Sequence, residues 1–242
     1  YKTKLTELPE NVINKYPGDG VRDFVIGRSP NVFYGLVADG IFKTQEEVDN
    51  HAEQPGKAVG RIRYKDLDGD GRVDELTDRT YIGTADPDFF GGITFDFRYR
   101  NFDLNMFFQG VFGNQVSNDW KRQSDFWHIS GSVPVGKNHP TRLLDAWSFD
   151  NPDSDIPAMT NVMTNNEQRM STYYIEDGSY LKLRNIELGY TFPAKVTNKM
   201  MMKNLRVYAS ARNVFTLEKF WGGDQFTSFD PEMSGYGYLT PF

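Results

Sequence analysis

The residues with the clearest chemical pattern lie at 66–78. Asp66, Asp68 and Asp70 set carboxylates at alternate positions, Gly71 follows, Arg72 offers a main-chain carbonyl and Val73 is aliphatic. A Ca²⁺ loop needs that order: convergent hard oxygens, a glycine for the sharp turn, a carbonyl ligand and an apolar residue that pins the loop to a core. Such a loop usually closes with a bidentate Glu at its twelfth position, which here is Thr77. Asp78, one residue later, or Glu75 can substitute. No flanking helices are expected, so this is an EF-hand-like loop in another setting. The expectation is Ca²⁺ held by Asp66, Asp68, Asp70, the Arg72 carbonyl and Asp74 or Asp78. A solvated acidic turn is the plain alternative.

Other motifs carry less. Residues 131–137 have the spacing of a phosphate-binding loop, but Asn138 stands where Ser or Thr would hold Mg²⁺, and Pro134 interrupts the nest. His51, His128 and His139 lack zinc spacing. No nucleophile elbow is present, and no catalytic constellation emerges, so an enzyme is not expected. Trp120, Phe126, Trp127 and Trp147 fall in one long loop and Trp221 in the last one, with Phe220, Phe226 and Phe229. Aromatic loop residues either stack on sugars and protein partners or pack loops together. Packing is expected for most, and the first five are the candidate substrate or partner contacts.

Composition limits the classes. The chain has 242 residues and no cysteine, which excludes a disulfide framework and thiolate metal sites. A net charge of -6 with no basic patch argues against nucleic acid. No apolar run reaches the length of a transmembrane helix. The mean hydropathy of -0.59 is compatible with barrel strands, which are apolar on one face only.

The elements that must position these residues are strands. Residues 93–100 alternate apolar and polar, Asn101 sits in a tight turn, and residues 104–112 run back: a hairpin. Residues 180–192 form a central strand after the turn at Asp177-Gly178-Ser179. Leu181 and Leu183 share one parity; Ile186, Leu188, Tyr190 and Phe192 share the other. This switch predicts a bulge between Leu183 and Ile186, or a change of environment. Residues 205–217 form a further strand. Residues 21–26 and 31–37 are extended. Thr44 and Glu47 make a capping box for a short helix to about residue 52, and Pro140 starts another over 141–147. Connections are short at one end of the strands and very long at the other.

Several stretches carry a resemblance: Phe33-Tyr34-Gly35 with Asp39-Gly40-Ile41-Phe42, Gly60-Arg61-Ile62-Arg63-Tyr64-Lys65-Asp66 running into the acidic loop, Phe108-Gln109-Gly110, residues 174–193, and Arg212-Asn213-Val214-Phe215. In this order they resemble the SusC/RagA family of TonB-dependent outer-membrane transporters. The resemblance implies an all-β fold, an antiparallel transmembrane β-barrel fragment with long extracellular loops at 43–92, 113–178 and 218–242 and one or two short loop helices. It implies that 1–242 is the C-terminal part of such a barrel, lacking the plug and one final strand. It also implies import of an oligosaccharide or peptide with a SusD-like surface lipoprotein as lid, TonB acting through the plug, and a place in the lipid of the cell outer membrane. The rival is a soluble calcium-stabilised β-domain that binds glycans. A lipid-facing apolar band separates the two.

Overall fold

The computed structural model describes residues 4–6, 26–126, 139–159 and 167–218. In chain order these hold β1 (Val32–Leu36), β2 (Ala38–Ile41), α1 (Gln45–Asn50), β3 (Ile62–Tyr64), β4 (Arg79–Thr84), β5 (Phe89–Tyr99), β6 (Phe102–Phe112), β7 (Gln115–Ser117), α2 (Asp119–Ser124), β8 (Ile175–Asp177), β9 (Tyr180–Thr191), α3 (Ala194–Thr197) and β10 (Arg206–Leu217). Two compact units divide them. Of the described residues, the first takes those up to 86 and those within 115–176, and the second takes those within 87–114 and 177–218.

The second unit is one antiparallel sheet, ordered β5-β6-β9-β10. Its strands are 11, 11, 12 and 12 residues long, enough for a tilted strand to cross a bilayer core. The β5–β6 hairpin pairs Tyr99 with Phe102. Its two-residue turn has Arg100 at φ 54 beside Asn101, the left-handed geometry that matches strand twist.

Register sorts the side chains. Across the sheet Phe97 meets Leu104, Leu104 meets Leu188 and Leu188 meets Ala209. One face is therefore apolar from edge to edge. Its rings touch, with Phe95 and Phe108 at 5.9 Å and Phe102 and Tyr190 at 4.7 Å. The other face is mainly polar: Asn105 donates to Asp96 (2.6 Å) and Arg206 binds both Asp103 and Glu187. Gly189 leaves room for that arginine, since a Cβ there would meet Arg206 Nε at 2.7 Å.

The parity switch in β9 is resolved by the expected bulge. Phe107 pairs with Asn185 and Phe108 with Leu183, so Arg184 is the extra residue. The slip moves Leu181 and Leu183 onto the same face as Ile186 and Leu188. β10 answers with its own irregularity between Arg212 and Phe215.

The sheet is longer than its sequence pattern suggests. β5 starts at Phe89, before Gly91 and Gly92, residues that were expected in the 43–92 loop. The Phe107 ring fills the space above Gly92, where a Cβ would lie 2.7 Å from it; cross-strand aromatics compensate for strand glycines in this way. Among the described residues the sheet does not close, and β5 and β10 each have one hydrogen-bonded neighbour.

The first unit is built from three two-stranded sheets, β1-β4, β2-β3 and β7-β8. Its core gathers Leu36, Ile41, Ile62, Tyr64, Val73, Phe126, Trp147 and Tyr174. Half of the expected capping box forms: Glu47 N–H donates to Thr44 Oγ1 (3.2 Å), while the Glu47 carboxylate accepts from Lys43 N–H (2.6 Å), one residue before the cap. The helix stops at Asn50, short of residue 52. Pro140 precedes a 3₁₀ turn, Thr141–Asp145. α2, which no sequence pattern announced, is capped by the Asn118 side chain, which accepts from Lys121 N–H (2.8 Å). The expected 21–26 strand lies almost wholly outside the described residues, as do 131–138.

Candidate functional site

The acidic loop leaves β3 at Tyr64. β3 is fixed first. Ile62 and Tyr64 are fully buried, while Arg63 turns outward and donates to the Asp39 carbonyl (2.7 Å). Gln54 holds the strand from its side, donating to Ile62 O (2.8 Å) and accepting from Tyr64 N–H (3.0 Å). On the far side of the loop, Val73 is buried in the core and its N–H donates to Glu53 O (2.8 Å).

Between these anchors the chain coils tightly. Gly69 and Gly71 sit at φ 75 and 85, which non-glycine residues adopt only at a cost. Asp66 accepts from Gly69 N–H (2.7 Å) and Gly71 N–H (2.9 Å). Loop desolvation opposes its ionisation, but these N–H groups prevail and hold the carboxyl below its ordinary range. Asp68 accepts from Asp70 N–H (3.1 Å), and Asp70 from Arg72 N–H (2.8 Å).

The closing acid is Asp78, not Asp74. Asp78 is fully buried and accepts from Leu67 N–H (2.6 Å) and Asp74 N–H (2.8 Å). Oxygens of Asp66, Asp68 and Asp78 lie within 4.8 Å of one another. Asp74 instead caps the next turn, accepting from Thr77 and Leu76 N–H (2.9 and 2.6 Å); those bonds lower its pKa. Asp70 accepts from its own loop backbone and stands outside the three-carboxylate group. The donor set is hard, oxygen-only and anionic, which fits Ca²⁺.

A buried pair braces the loop's base. Arg61 donates to Glu167 at 2.6 Å, and both side chains are under a tenth exposed. Glu167 also accepts from Ile62 N–H (3.2 Å), and its carbonyl accepts from Tyr174 OH (2.6 Å). Burial raises the Glu167 pKa against the pull of Arg61, and it raises both Tyr64 and Tyr174. Gly60, at φ 82, lets the chain enter this corner against Trp147.

Two of the aromatic candidates have described side chains, and neither lies at a surface. Phe126 and Trp147 are 5% and 7% exposed and belong to the core, so in the structure they hold the loops together. Trp120 lies in α2. Trp127 and Trp221 lie outside the described residues. Sequence reasoning missed a second buried cluster: Asp125 binds Arg142 and accepts from Tyr173 OH (2.8 Å). Only the acid directly before Phe126 and Trp127 hinted at it.

An antiparallel sheet of bilayer-length strands, apolar on one face and polar on the other, is a piece of a transmembrane β-barrel wall. Comparison with known proteins agrees. No family model matches the chain. TonB-dependent receptor P3 of Formosa agariphila is 31% identical over 231 residues, covering 92% of this chain and 22% of that protein. TonB-dependent receptor P26 of the same organism is 30% identical over 93% of the chain and 21% of its own length. TonB-dependent receptor SusC of Bacteroides thetaiotaomicron is 26% identical over 78% of the chain and 17% of its own length. The RagAB peptide transporter structure superposes with a TM-score of 0.70 at 22% identity, covering 95% of this chain and 23% of that one. The chain belongs to the SusC/RagA family of TonB-dependent transporters, and it spans about a fifth of the length of the curated relatives it matches.

Proposed function

We propose that this stretch serves as wall and outer vestibule of an active importer in the outer membrane. The importer takes up oligosaccharides or peptides, works with a SusD-like surface lipoprotein as lid, and is driven by TonB acting on a plug. The observation that carries this reading is the two-faced sheet. In water its apolar face is unfavourable: Phe89, Tyr99 and Val207 are 63, 69 and 57% exposed, and each large apolar side chain left in water forgoes about 1.5–3 kcal/mol. Lipid removes that cost, and the polar face then borders an aqueous lumen. The named relatives support the transport class; the peptide transporter among them supports peptide as one substrate class. The soluble glycan-binding alternative leaves the apolar face unexplained.

Within this reading the loop at 66–78 holds Ca²⁺ through Asp66, Asp68 and Asp78, with Asp70 and the Arg72 carbonyl next to them in sequence. The ion neutralises three converging carboxylates and rigidifies the first unit.

A charge placed on each face tests the wall. Met106→Lys and Ile186→Lys, paired on the apolar face near the middle of their strands, should cost about 2–4 kcal/mol each at mid-bilayer and lower both the inserted receptor and uptake of a labelled oligosaccharide or peptide. Asn105→Lys, on the polar face, should leave insertion intact. Equal insertion of all three variants would contradict the proposal.

A further inference from the structure

We propose that residues 194–205, which join β9 to β10, anchor the wall to anionic phospholipid headgroups. The inference rests on the membrane reading above. Two connections share this end of the sheet: Thr191 N–H donates to Asn101 O (2.8 Å), and Asn101 Nδ2 donates back to Thr191 O (2.6 Å). Both connections are short, whereas residues 113–179 link β6 to β9 at the other end. In membrane barrels the short turns face the periplasm, so this end meets the phospholipid leaflet.

The segment is cationic and apolar together. Lys195, Lys199 and Lys203 are exposed, and residues 193–205 contain no acid. None of the three lysines forms an ion pair among the described residues. Arg98 and Arg100 add exposed charge from the β5–β6 turn. On the strands at this end, Asp103 and Glu187 are engaged by Arg206, and Asp96 by Asn105.

The apolar part is held outward by the backbone. Met202 N–H donates to Thr197 O (3.0 Å) and Met201 N–H to Asn198 O (3.2 Å), the paired bonds of a Schellman end. Its left-handed position, where glycine is usual, is Met201 at φ 55, and that residue is 97% exposed. Met200, Met202 and Val196 are 50, 42 and 41% exposed around it. In the chain the patch follows Tyr190 and Phe192, whose rings lie 5.0 Å apart at the end of β9. Flexible thioethers that enter the acyl boundary, ringed by lysines that reach headgroup phosphates, match an anionic bilayer surface.

The test uses the whole receptor in vesicles of phosphatidylcholine and phosphatidylglycerol, with a fluorophore on Met201→Cys and, separately, on Phe97→Cys. Brominated phosphatidylglycerol should quench the 201 label at least about threefold more than brominated phosphatidylcholine, given the attraction of several nearby cations. The triple variant Lys195→Gln, Lys199→Gln, Lys203→Gln should make the two lipids equal. Quenching at 97 with none at 201 would overturn the anchor and leave the wall standing. Equal quenching at 201 by both lipids in the unmodified receptor would overturn its anionic selectivity. Absence of quenching at 97 would bring down the wall reading itself.

Discussion

Arg184 Nη1 donates to Asn213 Oδ1 at 3.2 Å. The first is the extra residue of β9 against β6, and the second sits at φ 51 in the irregularity of β10. Arg184 Nε also donates to Gln109 Oε1 (2.8 Å) on β6. One guanidinium therefore ties three strands together where the register of the wall shifts. Asn213→Gly keeps the left-handed backbone and should cost only the lost bond to Arg184, about 0.5–1.5 kcal/mol. Asn213→Val should cost about 1–2 kcal/mol for the backbone alone. Arg184→Met should cost about 0.5–1.5 kcal/mol for each neutral-range bond lost. Thermal unfolding of the receptor in detergent, read on gels that separate compact from unfolded barrel, ranks the three variants.

Gly60 is set for a different failure. It combines a left-handed φ with a close approach to the Trp147 ring, which an added Cβ would meet at 2.6 Å. Gly60→Ala should destabilise the first unit by about 1–2 kcal/mol from the backbone and about 1–3 kcal/mol from overlap. Trp147 fluorescence should shift as the ring moves. Unchanged emission and unchanged protease resistance of the loops would count against this packing.

Glu167 links the first unit to pH. Its folded pKa is raised above the ordinary value of 4.5, so the folded protein keeps a proton that the unfolded chain has released. This contribution is fully present below the unfolded value and declines as pH rises through the folded one. Glu167→Gln should remove the decline. Arg61→Met, which deletes the opposing charge, should extend it to higher pH and cost about 3–5 kcal/mol once Glu167 ionises without its partner. Hydrogen exchange at Ile62 N–H, whose bond Glu167 accepts, reports both effects.

The calcium proposal has its own measurement. Titration calorimetry on the whole receptor should show heat from Ca²⁺ that Asp68→Asn and Asp78→Asn abolish, while Asp74→Asn retains it. Asp74→Asn instead loosens the 74–77 turn, which its carboxylate caps. Equal binding by all variants would remove the site.

These residues trace how far the sequence could be read. The bulge was legible because apolar parity switches within one strand, and one physical device restores a continuous face. Phe89 to Gly92 was not legible as strand: these residues fall in the expected 43–92 loop until Phe107, on the neighbouring strand, is placed above Gly92. Phe126 and Trp147 looked like contact residues because nothing local says that Ile62, Tyr64 and Tyr174 will share a core with them. Asp78 and Asp74 were equivalent on spacing. The fold separates them, since burying Asp78 makes Asp74 N–H one of its donors. α2 spans little more than a turn and carries no apolar period, so its single sequence signal is the Asn118 cap.

If the sheet is a membrane wall, its apolar face must stay continuous across the Arg184 bulge. Spin labels placed singly from 181 to 188 in the reconstituted receptor test this most directly, by collision with oxygen and with a water-soluble nickel complex. A lipid-facing wall predicts oxygen-rich, nickel-poor environments at 181, 183, 186 and 188, with the period-two pattern slipping by one residue at 184. An unbroken alternation through 184, or nickel access at all four positions, would contradict it.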